Sequence, residues 1–370
     1  MTKKLITALL SLSLALPLAA YTASAAPLAP SVAIIDTGID DTLPSFQGKI
    51  VTQVCILEFT LCPNGTSFEE SPRAAVVPAS IINLNGFEHG TQMASALLLS
   101  NPNLNIVFIR IVGNNAIGGR INPTASAVDK ALEWVKNNSS KYNIQAVTMA
   151  QGHHNLGAPK TDYCPKTPTT EQVIKDLISI NVATFFAVGN GRDYARIDWP
   201  SCISSSISVG AVDRGNLIAS NSNSDPSLLD FYATGYVTVA SASNVMKNIA
   251  GSSAATQSAA GLWMSLRSSK PFYTYSQTMD AFKNTASTAP GRAGKFKKLM
   301  NLSAALSYTP LQAGPTAAET AAAQAAAQAA LKVQVDAALL AAQAEYDAAV
   351  KAASDKLAAT RATWLAKLNG

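Results

Sequence analysis

Val32-Ala33-Ile34-Ile35-Asp36-Thr37-Gly38 is a short apolar run, rich in β-branched residues, that ends on an acid and a glycine turn. Four apolar residues in a row, with no polar alternation, are what a strand buried on both faces requires. Similar runs recur at residues 106–111, 144–149, 182–188 and 207–212. Between them, residues 91–99, 125–137 and 171–180 carry helical spacing. Strands alternating with helices predict an α/β fold, a parallel sheet joined by right-handed crossovers. Such sheets gather their chemistry at the carboxyl ends of the strands. Asp36 and Gly189-Asn190 each follow a strand and are expected there.

Two further segments carry chemistry. His89-Gly90-Thr91 opens a helical run, and Gly251-Ser252-Ser253-Ala254 leads into another at 252–266. Each residue alone has a plain reading: Asp36 as a turn acid, His89 as a surface histidine, Ser252 or Ser253 as a helix cap, Asn190 as a turn amide. Together, Asp, His and Ser are the groups that convert a weak hydroxyl into a nucleophile. A carboxylate fixes the histidine tautomer, and the imidazole takes and returns the proton. Ser253 at a helix start sits where developing negative charge is favoured. An amide donor such as Asn190 suits a tetrahedral oxyanion.

The chain of 370 residues is long enough for one large domain with extras. Lys3 and Lys4, an apolar stretch at 5–20 and Ala23-Ser24-Ala25 read as a secretory signal peptide over 1–25. No later run is long and apolar enough to span a membrane, so a secreted, cell-surface or periplasmic location is expected. The net charge of +5 is mild and scattered, without a basic stripe interleaved with aromatics, which argues against nucleic acid as a partner. The four cysteines, Cys55, Cys62, Cys164 and Cys202, favour disulfides in a secreted chain. Cys55 with Cys62 would close a small loop and Cys164 with Cys202 would tie two long ones; other pairings stay open. A zinc site fits poorly, because there is no C-x-x-C and two of the three histidines, His153 and His154, are adjacent.

Residues 26–309 are read as the folded domain and 310–370 as a linker and long helix. Gly314-Pro315 breaks the chain, Thr316 and Glu319 form a capping box, and an Ala-rich segment follows, ~80 Å long if helical throughout. Leu331, Val335, Leu339, Tyr346, Val350, Leu357, Trp364 and Leu368 make a nearly straight stripe, interrupted by Arg361. That pattern suits either a solvated spacer or a self-association (coiled-coil) or docking helix.

The order Asp36, His89, Ser253 and the flanks of each segment resemble those of the subtilisin-like serine peptidases. The resemblance covers about residues 32–306. It rests on Asp36-Thr37-Gly38-Ile39-Asp40 followed by Pro44, and on His89-Gly90-Thr91-Gln92-Met93-Ala94. Val188-Gly189-Asn190-Gly191, Trp199-Pro200-Ser201 and Gly251-Ser252-Ser253-Ala254-Ala255-Thr256 extend it. It implies a three-layer fold with a mainly parallel twisted sheet flanked by helices. It also implies an Asp36-His89-Ser253 triad, an Asn190 oxyanion donor and peptide-bond hydrolysis through an acyl-enzyme. Ala150, Gln151, Gly152, His153, Val188 and Gly189 would then bind an extended peptide or protein substrate.

This chain departs from the family pattern in three places. Gln257 and Ser258 stand where Pro and His are usual. Ala150-Gln151-Gly152-His153 replaces the usual Ser-Leu-Gly-Gly, and His153 is expected to narrow the primary specificity pocket. Only residues 26–31 separate the expected cleavage site from the first strand, so folding is expected to proceed without a built-in chaperone segment or with help from the long helix. No cofactor is implied. Calcium is frequent in the family, but Asp40-Asp41 is the sole hint of it and reads equally as a turn. The competing reading is a weak or inactive homologue used for binding or surface assembly. An esterase would need Gly-x-Ser-x-Gly, which Gly251-Ser252-Ser253-Ala254-Ala255 fails at its last position.

Overall fold

The structure is a computed structural model that describes residues 29–115, 117–153, 164–165, 167–291, 294–310 and 317–368. The signal segment expected at 1–25, His154, the Gly314-Pro315 break and the Thr316 cap lie outside the described residues. So do the side chains of Leu331, Trp364 and Leu368.

In chain order the first half comprises β1 (Ser31–Asp36), β2 (Ile50–Ile56), β3 (Phe68–Ser71), α1 (Ala79–Ile82), α2 (His89–Ser100), β4 (Asn105–Arg110), β5 (Gly113–Asn114), β6 (Arg120–Ile121), α3 (Ala125–Asn138) and β7 (Ile144–Met149). Then come α4 (Pro168–Ser179), β8 (Ala183–Ala187), β9 (Ile207–Val212), β10 (Phe231–Thr234), β11 (Tyr236–Ala240), β12 (Met246–Ala250) and α5 (Ser252–Ser269). The chain closes with α6 (Tyr275–Thr285), β13 (Ser287–Gly291), β14 (Gly294–Leu299), α7 (Leu302–Ser307) and α8 (Ala317–Leu368).

A ten-stranded sheet runs β13-β14-β10-β9-β8-β7-β1-β4-β2-β3. Its inner pairings are parallel, and β3 and β13 add antiparallel edges. This is the mixed, mostly parallel sheet that the alternating runs predict. Both faces are covered, which is why β1 needs no polar alternation. Ala33 and Ile35 join the core containing α3 and α4, whereas Val32 and Ile34 join the core containing α2 and α5. On the α5 side Trp263 is fully buried, edge-on to Phe185 at 5.5 Å and stacked on Phe282 at 6.1 Å.

Several details differ from the sequence expectations, among them the inner strands β2 and β10, which no expected run marked. The helix expected to begin at 91 begins at His89 itself, and the one expected at 171 begins at Pro168, where the ring occupies a first-turn position that needs no N–H. The edge strands β3, β13 and β14, which carry charged or small residues, had no apolar run to mark them. The Cys55–Cys62 and Cys164–Cys202 disulfides form as paired above.

Helix α8 is exposed over residues 332–363, Tyr346 and Leu339 included. Its surface carries Lys332–Asp336 and Lys351–Asp355 pairs at i,i+4 spacing, each adding a few tenths of a kcal/mol, roughly. Among the described residues no helix is long and apolar enough to cross a membrane.

Candidate active site

Asp36 is the last residue of β1 and is fully buried. His89 is the first residue of α2, and its ring reaches back to Asp36: Nδ1 lies 2.8 Å from Asp36 Oδ1. Thr37 makes this approach possible. Its hydroxyl donates to Phe87 O at 2.8 Å and accepts from Gly90 N–H at 3.0 Å, strapping the start of α2 to the end of β1. Asp40 N–H donates to Thr91 Oγ1 and adds a second strap. Gly90 must be glycine at this crossing, since a Cβ would stand 2.3 Å from Gly38 O and 2.6 Å from the Phe108 ring.

Asp36 Oδ1 collects three donors: Thr37 N–H at 2.7 Å, His89 Nδ1 at 2.8 Å and Gln151 Nε2 at 3.0 Å. Oδ2 is buried without a hydrogen-bond partner among the described residues. Burial pushes the Asp36 carboxyl up. The His89 charge and hydrogen bond, the Thr37 N–H and the Arg120 charge outweigh it and hold the group below the ordinary carboxylate value. Gln151 stands just beyond β7, with Nε2 also 3.1 Å from His89 Nδ1 and Oε1 accepting from Arg120 on β6.

Asn190 lies on the exposed loop after β8. Its Oδ1 accepts Ser252 N–H at 2.9 Å and lies 3.2 Å from Ser252 Oγ, which in turn accepts Gly189 N–H at 3.2 Å. An Oδ1 committed to these donors leaves Nδ2 as the amide's free end. Gly251 supplies the cap of α5 at φ +142°, and a Cβ there would stand 2.9 Å from Asn190 Oδ1. Neither Ser252 nor Ser253 caps the helix. Ser252 is buried, and Ser253, one residue on, is partly exposed. Among the described residues no hydrogen bond joins Ser253 to His89; such contacts often tighten only with substrate bound.

The structure therefore brings Asp36, His89 and Gln151 together, and joins Asn190 to the helix turn that carries Ser253. The remaining expected substrate residues border this ground. Val188 is buried, and its O accepts from Asp198 N–H and Asn223 Nδ2. Gly189 has φ +94°, and a Cβ would fall 2.1 Å from Asp198 Oδ2, so no side chain fits. Ala150 is half-buried and Gly152 exposed. His153 is exposed, pairs with Trp199 through both backbone groups, and turns Nε2 to within 3.2 Å of Pro123 O.

Asp40 and Asp41 are committed elsewhere. Asp40 accepts from Thr42 and from Ser243 N–H, and Asp41 accepts from Gln53 and pairs with Arg73. Among the described residues no group of three or more His, Cys, Asp or Glu side chains converges as a metal site would need. Sequence reasoning overlooked Thr37 as a strap and Arg120 as a neighbour. The first was visible as a hydroxyl beside Asp36. The second lies 31 residues from Gln151 and gave no local signal.

A family model described as the subtilase family matches residues 29–301. The chain is 26% identical to an alkaline protease of Alkalihalobacillus alcalophilus over 58% of its own length and 54% of that protein. It is likewise 26% identical to Subtilisin Savinase of Lederbergia lenta, over 58% of this chain and 76% of that one. It thus spans about half the length of the first of these relatives. Among solved structures, proteases from Pseudoalteromonas arctica superpose with a TM-score of 0.61 at 18% identity, covering 76% of this chain and 90% of theirs. A cold-adapted subtilisin-like serine proteinase gives 0.55 at 20%, covering 74% and 87%. At these identities the structural likeness concerns the fold.

Proposed function

The chain belongs to the subtilase family, and from that premise we propose that it is a serine endopeptidase in which Asp36, His89 and Ser253 form the triad and Asn190 donates to the oxyanion. The observation that carries this reading is the buried Asp36–His89 hydrogen bond at 2.8 Å. It presents Nδ1–H to the carboxylate and leaves Nε2 as the proton acceptor. Ser253 Oγ attacks the substrate carbonyl and its proton passes to His89 Nε2, while Asp36 stabilises the imidazolium. The oxyanion meets Asn190 Nδ2 at the start of α5, whose dipole favours negative charge. Collapse expels the amine, protonated by His89, and water repeats the sequence on the acyl-enzyme.

Labelling with a fluorophosphonate probe tests this reading. Wild type is expected to label and Ser253→Ala not to. A folded wild type that stays unlabelled favours the inactive binding homologue, and a Ser253→Ala variant that still labels removes Ser253 from the role.

The substrate is proposed to be an extended peptide laid along residues 150–153 and 188–189 by strand addition. His153 is proposed to restrict the residue before the cleaved bond; a fluorogenic peptide library that prefers large apolar residues there would refute this. Two disulfides support action outside the cell, where they persist. Helix α8, exposed over residues 332–363, is proposed to act as a spacer or in self-association rather than in catalysis. Sedimentation of the full chain across a concentration range separates the two.

A further inference from the structure

We propose that Gln151, oriented by Arg120, is a positioning residue for the Asp36–His89 pair. This rests on the reading of that pair as the acid–base machinery.

What each group is able to donate fixes the arrangement. A guanidinium is donor-only, so the Gln151 atom facing Arg120 has to be Oε1. That fixes the amide, and Nε2 faces Asp36 Oδ1 at 3.0 Å. A carboxylate with a depressed pKa is acceptor-only, so His89 Nδ1 at 2.8 Å has to carry the hydrogen. The 3.1 Å separation between Gln151 Nε2 and His89 Nδ1 is therefore two donors meeting at one oxygen. The amide flanks the ring and restricts its swing, while the Asp36 carboxylate keeps the hydrogen on Nδ1.

Arg120 is built for this contact. Among the described residues, its one side-chain hydrogen bond is to Gln151 and its Nε is buried without a partner. It stands on the small β5–β6 ribbon, outside the main sheet. The other charges around the pair are committed or turned away. Glu88, before His89, pairs with Lys247. Arg110, the sheet neighbour of Asp36, directs its guanidinium to Val112 O and Asn114 Oδ1. Arg120 is thus the cation that acts on Asp36 besides His89 itself. Its positive charge favours the ionised Asp36 carboxylate, and its grip on Gln151 holds that amide against Oδ1.

The test is kcat and KM on a fluorogenic peptide for wild type, Gln151→Leu, Arg120→Met and Arg120→Lys, each checked for a wild-type Tm. A lost hydrogen bond to a charged group predicts a fall in kcat of about 10- to 100-fold for Gln151→Leu, with KM nearly unchanged. Arg120→Met lowers kcat in the same direction with KM nearly unchanged, and Arg120→Lys restores it in part. Arg120→Met, on the outer ribbon, carries the test if Gln151→Leu does not fold. Wild-type kcat in the variants overturns the proposal, as does a rise in KM alone, which would make Gln151 a substrate contact. A wild type that neither labels with fluorophosphonate nor turns over peptide overturns the peptidase reading instead.

Discussion

In the proposed reading Asn190 serves catalysis and stability through opposite ends of one amide, and two substitutions separate them. Oδ1 accepts Ser252 N–H at 2.9 Å, while Nδ2 is the end proposed to meet the oxyanion. Asn190→Ala removes both. Loss of an oxyanion donor lowers kcat by about 10²–10³, or ~2.7–4 kcal/mol, with KM little changed because the donor acts in the transition state. Ser252 is fully buried, so its orphaned N–H costs a further ~1–3 kcal/mol of folding stability. In a domain of this size that lowers Tm by roughly 2–12 °C. Asn190→Asp keeps an acceptor for Ser252 N–H at the start of α5, where a negative charge is favoured, so its Tm stays near wild type. Its kcat falls at least as far as that of the alanine variant, because a second anion then faces the oxyanion. The assay is kcat and KM on a fluorogenic peptide beside a thermal melt. Either variant retaining kcat within about tenfold of wild type, or a Tm loss equal in both, would refute the reasoning.

Three more outcomes are expected. Gly90→Ala forces a Cβ to within 2.3 Å of Gly38 O, so it should lose about 1–3 kcal/mol in denaturant melts and more activity than stability, because it displaces His89. Removing the Cys164–Cys202 bridge, which spans 38 residues, should lower stability by about 4 kcal/mol in the chain-entropy picture, against about 2 for Cys55–Cys62, which spans 7; paired Cys→Ser variants compared by Tm check the order. Burial pushes the Glu70 carboxyl up, but hydrogen bonds from Tyr142, Lys141 and Trp134 hold it below its ordinary value of 4.5, so its contribution is present above that pH and lost as pH falls through the depressed value. Glu70→Gln should therefore be less stable than wild type at pH 7, and denaturant titrations should show the difference shrinking at low pH.

Five strands of the parallel centre, β1, β4, β7, β8 and β9, were legible because strands buried on both faces are mainly apolar, whereas β2, interrupted by Thr52-Gln53, and the four-residue β10 were not. The edges were not, because strands such as β14, where Lys297 is exposed, answer to solvent on one side. Asp36, His89 and Asn190 were legible from their places after a strand or before a helix. Their partners were not. Thr37, Gln151 and Arg120 act through contacts that only the folded chain closes, and hydrogen bonds between residues 31 and 115 positions apart leave no periodic trace.

Two of the departures from the family pattern, Gln257 and Gln151, meet at the end of β7. Gln257 is fully buried in α5, and its Oε1 accepts the Thr148 hydroxyl of β7 at 3.0 Å. With Gln rather than Pro there, α5 keeps its backbone donor at that turn and runs unbroken from Ser252 to Ser269. Ser258, in the place of the usual His, ties to Thr234 O at 2.9 Å. Thr148 is the register partner of Ile34 on β1, and three residues later the same segment sends the Gln151 amide to Asp36. One amide thus ties β7 to the helix that carries Ser253, and another ties the segment beyond β7 to the strand that carries Asp36. Read singly, each departure looks like a loss from the peptidase pattern. The Gln257 and Gln151 amides together tie the elements that carry Ser253 and Asp36 to β7 and the segment beyond it, which supports the proposed triad over a chain that only binds.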